Sequence, residues 1–441
     1  MLTYYKENIQ LFVILFVWLA IGMYGGPIIY LVLPLTLILM KQKEMYEELL
    51  LGYLFILILS DSLDFHLDFA KNVKNIYIVL LSVFVLFDKE NFRPLNELYK
   101  IFIPFFLFSS FTMLFSVTDS FFFTSVQKTL SYFLTFLIIP TLISKLYRQH
   151  GEQFLRRFLF FSLTFLFAGF ILKFLAHDVA YLITGRYRGV LGSPNGLGTF
   201  SFLLFVVFFV VDNFWPLLFS KREKIIAYAA ILLSVYMAGS RNYILSVLIF
   251  FIFQRFFSIS PFIGFLVFSV TLVVSELITT NITAVVVSLG LENLFRINTL
   301  EDGSGRYIAW DFAWKQIQHH FFIGKGFAYN EFYMRQYYHE LQRMGHQGGI
   351  HNSFLTFWMD QGLIGLLIYL RSYILIFMKA SKISKFAFPI MFAIVFSAMF
   401  ESWLVGSLSA FAFLGIFIFT IISEDYHKVS TPAVEPALEL N

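Results

Sequence analysis

The sequence predicts an all-α polytopic membrane protein with about 12–14 transmembrane helices and one large, folded extracytoplasmic loop. Of its 441 residues, 59% are hydrophobic and only 14% are charged. A water-soluble domain typically carries about 25% charged residues, so this chain has too few to cover an aqueous surface. Apolar runs long enough to cross a bilayer recur along the chain, and they flank the long polar stretch of residues 281–351 on both sides.

The apolar runs give the positions of the candidate spans. They begin near Ile9, Ile28, Leu49, Asn75, Ile101, Val126, Phe158, Gly196, Ile225, Tyr243, Phe262, Ser353, Phe386 and Leu404. Two of them, at Ile28 and Phe386, are short, and the count falls to twelve if pairs of segments are re-entrant. The stretch from Met1 to Met23 lacks the small-residue cleavage site of a signal peptide, so we expect it to be retained as the first span.

Basic residues alternate between the predicted loops and so predict the orientation. One set of loops carries Lys41, Lys43, Lys89, Arg93, Lys100, Lys145, Arg148, Arg156, Arg157, Lys221, Arg222, Lys224, Arg255, Lys379, Lys382 and Lys385. The opposite short loops carry only Lys71, Lys74, Arg186, Arg188 and Arg241. Because Lys and Arg concentrate on the cytoplasmic side, both termini are predicted to be cytoplasmic. The net charge of +4 follows this topology and gives no indication of nucleic-acid binding.

The topology divides the chain into four regions. Residues 1–280 are predicted to form transmembrane helices, with about eleven spans. Residues 281–351 form the large extracytoplasmic loop, which we expect to be the catalytic region because long loops in compact folds are usually functional. Residues 352–423 form the C-terminal transmembrane helices. Residues 424–441 form a cytoplasmic tail that is predicted to be disordered.

Four arginines gather at the predicted outer side. Arg186 and Arg188 precede a span, and Arg241 lies in a short turn between two spans. Arg306 begins an amphipathic helix that is predicted for residues 304–320. Guanidinium groups bind phosphate oxygens in pairs, and a helix N-terminus supplies further N–H donors, so these residues predict a diphosphate site. The alternative for any single arginine is a side chain that reaches out to lipid headgroups.

A histidine stands where the long loop re-enters the membrane. A neutral imidazole can accept a hydroxyl proton near neutral pH, so His351 is a candidate general base. The alternative is a histidine that caps the following helix or lies in a polar loop, and composition alone favours it. Gly362 and Gly365, three residues apart on that helix, would share one face and permit close helix packing.

An acidic cluster of Asp61, Asp64, His66 and Asp68 lies at the predicted outer end of the third span. Its spacing can hold a hard divalent cation, although such clusters are more often solvated helix ends. The chain has no cysteine, which excludes thiolate metal sites and a cysteine nucleophile. Phosphate-loop and dinucleotide-binding motifs are also missing from the sequence. We therefore predict neither a metal nor a cofactor.

Several of these residues resemble motifs of the bacterial O-antigen ligase and O-antigen polymerase superfamily. The pair His351-Asn352, nine residues and then Gly362 and Gly365 resemble its His-Asn-x9-Gly-x-x-Gly pattern, and Ser240-Arg241 resembles its Ser-Arg motif. This sequence also resembles the family's Arg-x3-Trp…Gly-x-Gly segment, at Arg306, Trp310, Gly324 and Gly326. It further resembles the stretch that opens an earlier helix in the family, at Pro194, Asn195 and Gly198. All these motifs fall between residues 186 and 370.

The resemblance implies a GT-C-like glycosyltransferase that needs no metal and inverts the anomeric centre. The implied donor is an undecaprenyl-diphosphate-linked glycan, and the implied acceptor is a glycan or another lipid-linked glycan. Carried over by position, Arg241 and Arg306 would hold the donor diphosphate, and Arg188 is added because it lies near the start of that earlier helix. His351, with Asn352 beside it, would activate or position the acceptor hydroxyl.

Two enzyme classes share these motifs. A polymerase passes the growing glycan to another lipid-linked repeat unit, whereas a ligase passes it to lipid A core or to a protein hydroxyl. The span count and the loop size favour a polymerase of the bacterial cytoplasmic (inner) membrane, with its active site facing the periplasm or the exterior. Besides the lipid bilayer, a flippase and a chain-length regulator of the same pathway are the expected partners. A transporter, the alternative of a different class, would show inverted repeats and midplane ionisable residues, which the sequence lacks.

The alternation of basic loops generates a direct test of the topology. Alkaline phosphatase needs disulfides that form only outside the cytoplasm, so a fusion after Tyr338 should be active and a fusion after Lys382 inactive. Enzyme activity in cells that express each fusion at equal levels is the measurement. The reverse pattern would contradict both the orientation and the placement of the site.

Overall fold

The computed structural model describes residues 2–88, 96–279, 305–346 and 348–424, together with residues 288 and 290. Across these residues the chain is helical, with a single isolated antiparallel bridge between Tyr181 and Tyr187. Much of the first half of the predicted extracytoplasmic loop and nearly all of the predicted C-terminal tail lie outside the described residues. Ser304, the first residue of the predicted loop helix, also lies outside them.

The helices up to the long loop are α1 Leu2–Glu7, α2 Ile9–Tyr24, α3 Ile29–Gln42, α4 Tyr46–Asp61, α5 Asp68–Leu86, α6 Glu97–Met113, α7 Phe122–His150, α8 Glu152–Leu175, α9 His177–Ala180, α10 Pro194–Phe214, α11 Lys221–Met237, α12 Arg241–Ile259 and α13 Pro261–Thr279. The loop contains α14 Arg306–His319, α15 Tyr329–Gln336 and α16 Tyr338–Arg343. The C-terminal helices are α17 Ser353–Ser381, α18 Ala387–Met399 and α19 Ala410–Ser423.

The length and composition of these helices confirm an all-α polytopic membrane protein. Within the described part of the chain, 7 helices are long and apolar enough to cross a membrane. They are Phe65–Leu86, Glu97–Ser116, Phe122–His150, Glu152–Leu175, Pro194–Phe214, Arg241–Ile259 and Ser353–Ser381. Shorter apolar helices are Ile9–Tyr24, Gly26–Gln42, Pro261–Thr271, Ala387–Met399 and Ala410–Ser423.

One predicted span begins too early. The sequence places its start near Leu404, but the last helix begins at Ala410, where the Ser409 hydroxyl accepts a hydrogen bond from the Ala412 N–H at 3.1 Å. A serine at this position is a favoured helix cap. Residues 400–409 instead form an irregular connection between α18 and α19, with one turn of 3-10 helix at Trp403–Val405.

Aromatic rings fill the interfaces between α6, α7 and α17. The ring centroids of Phe102 and Phe136 are 4.7 Å apart, and those of Phe105 and Tyr369 are 5.2 Å apart. Lipid tails are as apolar as these side chains, so helices in a membrane associate mainly through close packing of this kind. The packed rings give α17, whose first residue follows His351 by two positions, a fixed place in the bundle.

Ion pairs join helix ends at the side of the bundle that is predicted to face the cytoplasm. Lys145 Nζ lies 2.7 Å from Asp88 Oδ2, and Arg157 Nη2 lies 2.6 Å from Glu47 Oε2. The guanidinium of Arg156 is paired in the same way with Glu223, at 2.8 Å. The basic residues that predict the orientation therefore also brace the helix ends.

Helix α17 is broken at Gly362, which has φ 73° and ψ 175°. The break frees two N–H groups that a continuous helix would use, and carbonyls of the loop accept both. Leu363 N–H donates to the Phe321 carbonyl at 2.8 Å, and Ile364 N–H donates to the Phe322 carbonyl at 3.2 Å. The prediction that Gly362 and Gly365 share one helix face is wrong, because Gly362 has a non-helical conformation that essentially only glycine adopts.

Two further glycines let the loop approach the same break. A Cβ on Gly324 would lie 2.1 Å from the Asp360 carbonyl oxygen, so only glycine fits there. Gly326 N–H donates to that carbonyl at 2.8 Å, and the Asp360 carboxylate accepts from the backbone and side-chain amides of Asn330 at 2.7 and 2.8 Å. The Gly-x-Gly segment therefore joins the loop to α17.

Replacing Gly362 with alanine should undock the loop. The backbone strain alone is expected to cost about 1–3 kcal/mol, and the added Cβ would lie 2.4 Å from the Phe322 carbonyl oxygen. The purified variant should lose monodispersity at a lower temperature than wild type, and trypsin should cleave it faster at Lys325. Gly349→Ala is the matched control, because a Cβ there meets nothing within 4 Å. Equal heat and trypsin resistance in both variants would contradict this role for the break.

Candidate active site

Glu401 lies at the centre of a group of polar side chains between α10, α14 and α17. One carboxylate oxygen, Oε1, accepts hydrogen bonds from Asn195 Nδ2 at 2.7 Å and from Arg306 Nη2 at 2.9 Å. The other, Oε2, lies 3.0 Å from His351 Nδ1. The Glu401 side chain is only 13% exposed. A single carboxylate thus joins three residues that are far apart in the sequence.

The backbone around Glu401 is fixed to the first turn of α17. Ser353 Oγ donates to the Glu401 carbonyl at 2.7 Å, and Asn352 N–H donates to Ser402 Oγ at 3.0 Å. The Thr356 and Ser402 hydroxyls are 3.0 Å apart. These contacts hold the irregular 400–409 connection against the start of α17, which directly follows His351 and Asn352. Backbone contacts of the neighbouring residues therefore help to fix the distance between Glu401 and His351.

Opposing effects act on the pKa of Glu401. Burial raises it, but the hydrogen bond and charge of His351 and the charge and hydrogen bond of Arg306 outweigh burial, so the pKa lies below its usual value. The carboxylate is therefore ionised at neutral pH and can only accept hydrogen bonds. His351 must then carry its proton on Nδ1, which leaves Nε2 as the acceptor in the neutral ring.

His351 has an unusual backbone conformation, with φ 52°. A residue other than glycine at positive φ is uncommon, and such strain persists only where the surroundings impose it. The imidazole is partly exposed, and a Cβ on Gly348 would lie 2.9 Å from its Nε2. The glycine-rich turn before His351 therefore leaves room for the ring.

A second histidine braces that turn. His346 is 2% exposed, and its Nε2 lies 3.1 Å from the Gly349 carbonyl oxygen, to which it donates. Burial lowers the pKa of His346, and the neighbouring charge of His351 lowers it further. His346 is therefore a neutral hydrogen-bond donor that supports the residues preceding His351.

Arg306 is the first residue of α14 and is fixed by contacts on several sides. Gly305 precedes it with φ 77°, where a Cβ would lie 2.8 Å from the Gly345 carbonyl oxygen. The guanidinium also lies over the Phe400 ring, 5.8 Å from its centroid. One turn later, Trp310 Nε1 donates to the Ile350 carbonyl at 3.0 Å. The Arg-x3-Trp spacing therefore links α14 to the residue immediately before His351.

A further arginine reaches this group through Asn195. Arg186 Nη2 donates to Asn195 Oδ1 at 3.2 Å and to the Ala238 carbonyl at 3.2 Å. Asn195 in turn donates to Glu401. Arg186 thus joins the start of α10 to the turn before α12 and is connected to Glu401 through Asn195.

Arg241 begins α12 at the same end of the bundle, three residues after the Ala238 carbonyl that accepts from Arg186. Its helix start is held closely on two sides. A Cβ on Gly198 would lie 3.2 Å from Ser240 Cβ, and Asn242 Nδ2 donates to the Ser397 carbonyl at 3.1 Å. Arg241 is half-buried there, between the start of α10 and the end of α18.

Two other predicted site residues, Arg188 and Asn352, bind backbone groups close to them in sequence. Arg188 Nε donates to the Val179 carbonyl at 2.9 Å, and its Nη1 donates to the Gly192 carbonyl at 3.4 Å, so this arginine braces its own loop. Asn352 caps α17, because its Oδ1 accepts from the N–H groups of Phe354 and Leu355 at 2.9 and 3.0 Å. Asn352 is therefore a positioning residue for His351 in this structure.

The acidic residues near the end of α4 are engaged separately. Asp61 Oδ2 accepts from Gly192 N–H at 3.0 Å, Asp64 Oδ1 accepts from His66 N–H at 2.9 Å, and Asp68 is paired with Lys71 at 2.7 Å. Across the described ranges, no group of three His, Asp or Glu side chains is arranged to hold a metal ion.

Glu401 is the residue of this group that sequence reasoning did not select, and Arg186 was grouped with the outer arginines but was not among those carried over by the resemblance. A signal for Glu401 was present, since it is the only acidic residue between Asp360 and Glu424. An ionisable residue among apolar segments is a functional hypothesis by default. Arg186 and Arg188 are two residues apart on the same loop, and only the folded loop distinguishes the one that reaches Asn195.

Comparison with known proteins agrees with the motifs in this site. No curated protein matches the chain. Residues 226–370 match the model of a protein family described as O-antigen ligase. The matched range includes Arg241, Arg306 and His351, and it ends within α17. This match, which covers about a third of the chain, supports the resemblance of these residues to the O-antigen ligase and O-antigen polymerase superfamily.

Proposed function

We propose that this protein is a glycan polymerase. It transfers undecaprenyl-diphosphate-linked oligosaccharide repeat units to a lipid-linked acceptor on the outer side of a bacterial cytoplasmic membrane. The observation that carries the proposal is the contact of Glu401 with both Arg306 and His351, at 2.9 and 3.0 Å. This contact joins a group suited to hold a diphosphate to a group suited to accept a proton.

The donor half of the site rests on positive charge. Arg306 and Arg186 lie on one side of Glu401, directly or through Asn195, and Arg241 begins the neighbouring helix. Guanidinium groups bind phosphate oxygens in pairs, so arginines gathered at this end of the bundle are suited to hold a diphosphate. The leaving group of an undecaprenyl-diphosphate donor gains negative charge as its bond to the sugar breaks, and preorganised cations stabilise that charge. No step of this chemistry requires a metal.

The acceptor half of the site rests on His351. Its Nδ1 proton is directed at Glu401, so Nε2 is available to accept a proton from an acceptor hydroxyl. The hydroxyl oxygen attacks the anomeric carbon while the bond from that carbon to the diphosphate oxygen breaks. The proton moves to Nε2, and the bonding electron pair leaves with the diphosphate. Attack from the side opposite the leaving group inverts the anomeric centre.

Glu401 supports both halves. As the imidazole gains a proton and becomes positive, the carboxylate beside Nδ1 stabilises it and holds the ring in the required tautomer. The same carboxylate orients Arg306. The docked loop that carries Arg306 would also exclude water, which otherwise competes with the acceptor for the donor.

A ligase is the second candidate, and the description of the matching family as O-antigen ligase favours it. A ligase would use the same donor and the same base but would accept lipid A core or a protein hydroxyl. The span count and loop size favour the polymerase. A transporter or flippase is less well supported. Neither role requires a histidine whose Nδ1 contacts a carboxylate while its Nε2 can accept a proton.

Deletion of the gene distinguishes these activities by their products. If the protein polymerises, surface glycan in the deletion strain should consist of a single repeat unit, because ligation and export continue. A ligase deletion would instead leave long glycan on the lipid carrier. Gel profiles of surface and carrier-linked glycan measure this, with a strain complemented by the wild-type gene as control. Long carrier-linked chains, or unchanged surface glycan, would contradict the polymerase proposal.

A further inference from the structure

The segment Phe321–Ile323, between α14 and α15, lies directly beside the break in α17. Its backbone is satisfied by that helix: the Phe321 carbonyl accepts from Leu363 N–H at 2.8 Å and from Trp358 Nε1 at 3.0 Å. The Phe322 carbonyl accepts from Ile364 N–H at 3.2 Å. These bonds place Phe322 at the same height along the bundle as Ile364.

The length of α17 relates that height to the membrane. From Gly362 to Ser381 the helix rises about 28 Å, at about 1.5 Å per residue, which matches the roughly 30 Å thickness of a bilayer core. Lys379 then lies near the inner boundary, where a basic residue is expected. Gly362 therefore lies near the outer boundary, and Ile364 lies about 3 Å inside it.

The side chains of this segment continue a lipid-facing surface. Phe322 is 62% exposed and Ile323 is 37% exposed. On α17, the adjacent Ile364 and the next exposed residue, Leu367, are 39% and 55% exposed on a membrane-spanning helix. The end of α6 lies close to this segment, because a Cβ on Gly326 would lie 3.1 Å from the Met113 Cα.

Polar and amphipathic residues flank the apolar tip as at a membrane interface. His319 and His320 precede it, and Lys325 follows it, with its Nζ 3.7 Å from Asp119. Trp314 and Trp358 lie edge to face with their ring centroids 5.4 Å apart, and Trp358 also contacts Phe321. Trp residues are enriched at the boundary between water and hydrocarbon.

We propose that Phe322 and Ile323 insert into the outer leaflet, so that the loop is anchored in lipid beside α17. Irregular backbone at membrane depth is tolerated only where its polar groups are satisfied, and the N–H groups freed at Gly362 satisfy these carbonyls. The anchor immediately follows α14, whose first residue is Arg306, so it fixes that helix relative to the membrane surface. The inference depends on the spans and not on the glycan reaction.

Site-directed spin labelling tests this insertion. The chain contains no cysteine, so Phe322→Cys and Ile323→Cys each introduce a single labelling site. Collision of the nitroxide with oxygen, which partitions into lipid, and with a water-soluble nickel chelate would be compared in proteoliposomes. Leu367→Cys is the lipid-facing control, and Glu340→Cys, on the exposed surface of α16, is the aqueous control.

The expected result is a high ratio of oxygen to nickel collisions at positions 322 and 323, close to that at position 367. A ratio close to that at position 340 would overturn the proposal, because the segment would then lie in water. Protection from both reagents would also overturn it, because a protein surface would then cover the tip. Two independent label positions keep the test decisive if one variant does not fold.

Discussion

The side chain of Glu401 is only 13% exposed yet its carboxylate remains ionised, and the arrangement of the site depends on that condition. A buried charge is tolerated only with paired charges and full hydrogen bonding. Arg306, Asn195 and His351 supply both, at 2.7–3.0 Å. Removing one partner of a buried ion pair typically costs about 3–5 kcal/mol, because the remaining charge is left uncompensated. Because the carboxylate must be paired and hydrogen-bonded, the side chains of Arg306, Asn195 and His351 are held together around it.

The loop is held over the bundle by a second constraint, the break of α17 at Gly362. The two N–H groups freed there bind carbonyls of the loop, and Gly324 permits the close approach. The family motifs thus separate by role. His351 and Arg306 contact Glu401, whereas Gly362, Gly324 and Trp310 position the elements that carry them. Residues that are far apart in the sequence are therefore brought together around Glu401.

Hydropathy and charge predicted the helices, and motif spacing selected His351 and Arg306. The same reasoning placed a span near Leu404, since a hydropathy window averages over the irregular connection that contains Glu401. The pattern of apolar residues does not indicate the backbone conformation of a single residue. It therefore predicted a continuous helix face at Gly362, where the structure has a break. The choice between Arg186 and Arg188 depends on how one loop folds against Asn195, and their spacing in sequence gives no information on that.

In the proposed mechanism the charge of Glu401 orients His351 for proton transfer, and Glu401→Gln removes that charge. The amide keeps the shape of the side chain but removes the charge that holds Nδ1 protonated. With purified protein in nanodiscs and an undecaprenyl-diphosphate-linked donor, donor binding and product formation are measured separately. Turnover should fall by about 10²–10⁴, the usual contribution of a positioned base, while donor binding persists through the arginines. Glu340→Gln, on the exposed surface of α16, is the matched control and should match wild type. Wild-type turnover by Glu401→Gln would contradict a role for the Glu401 charge in glycan transfer.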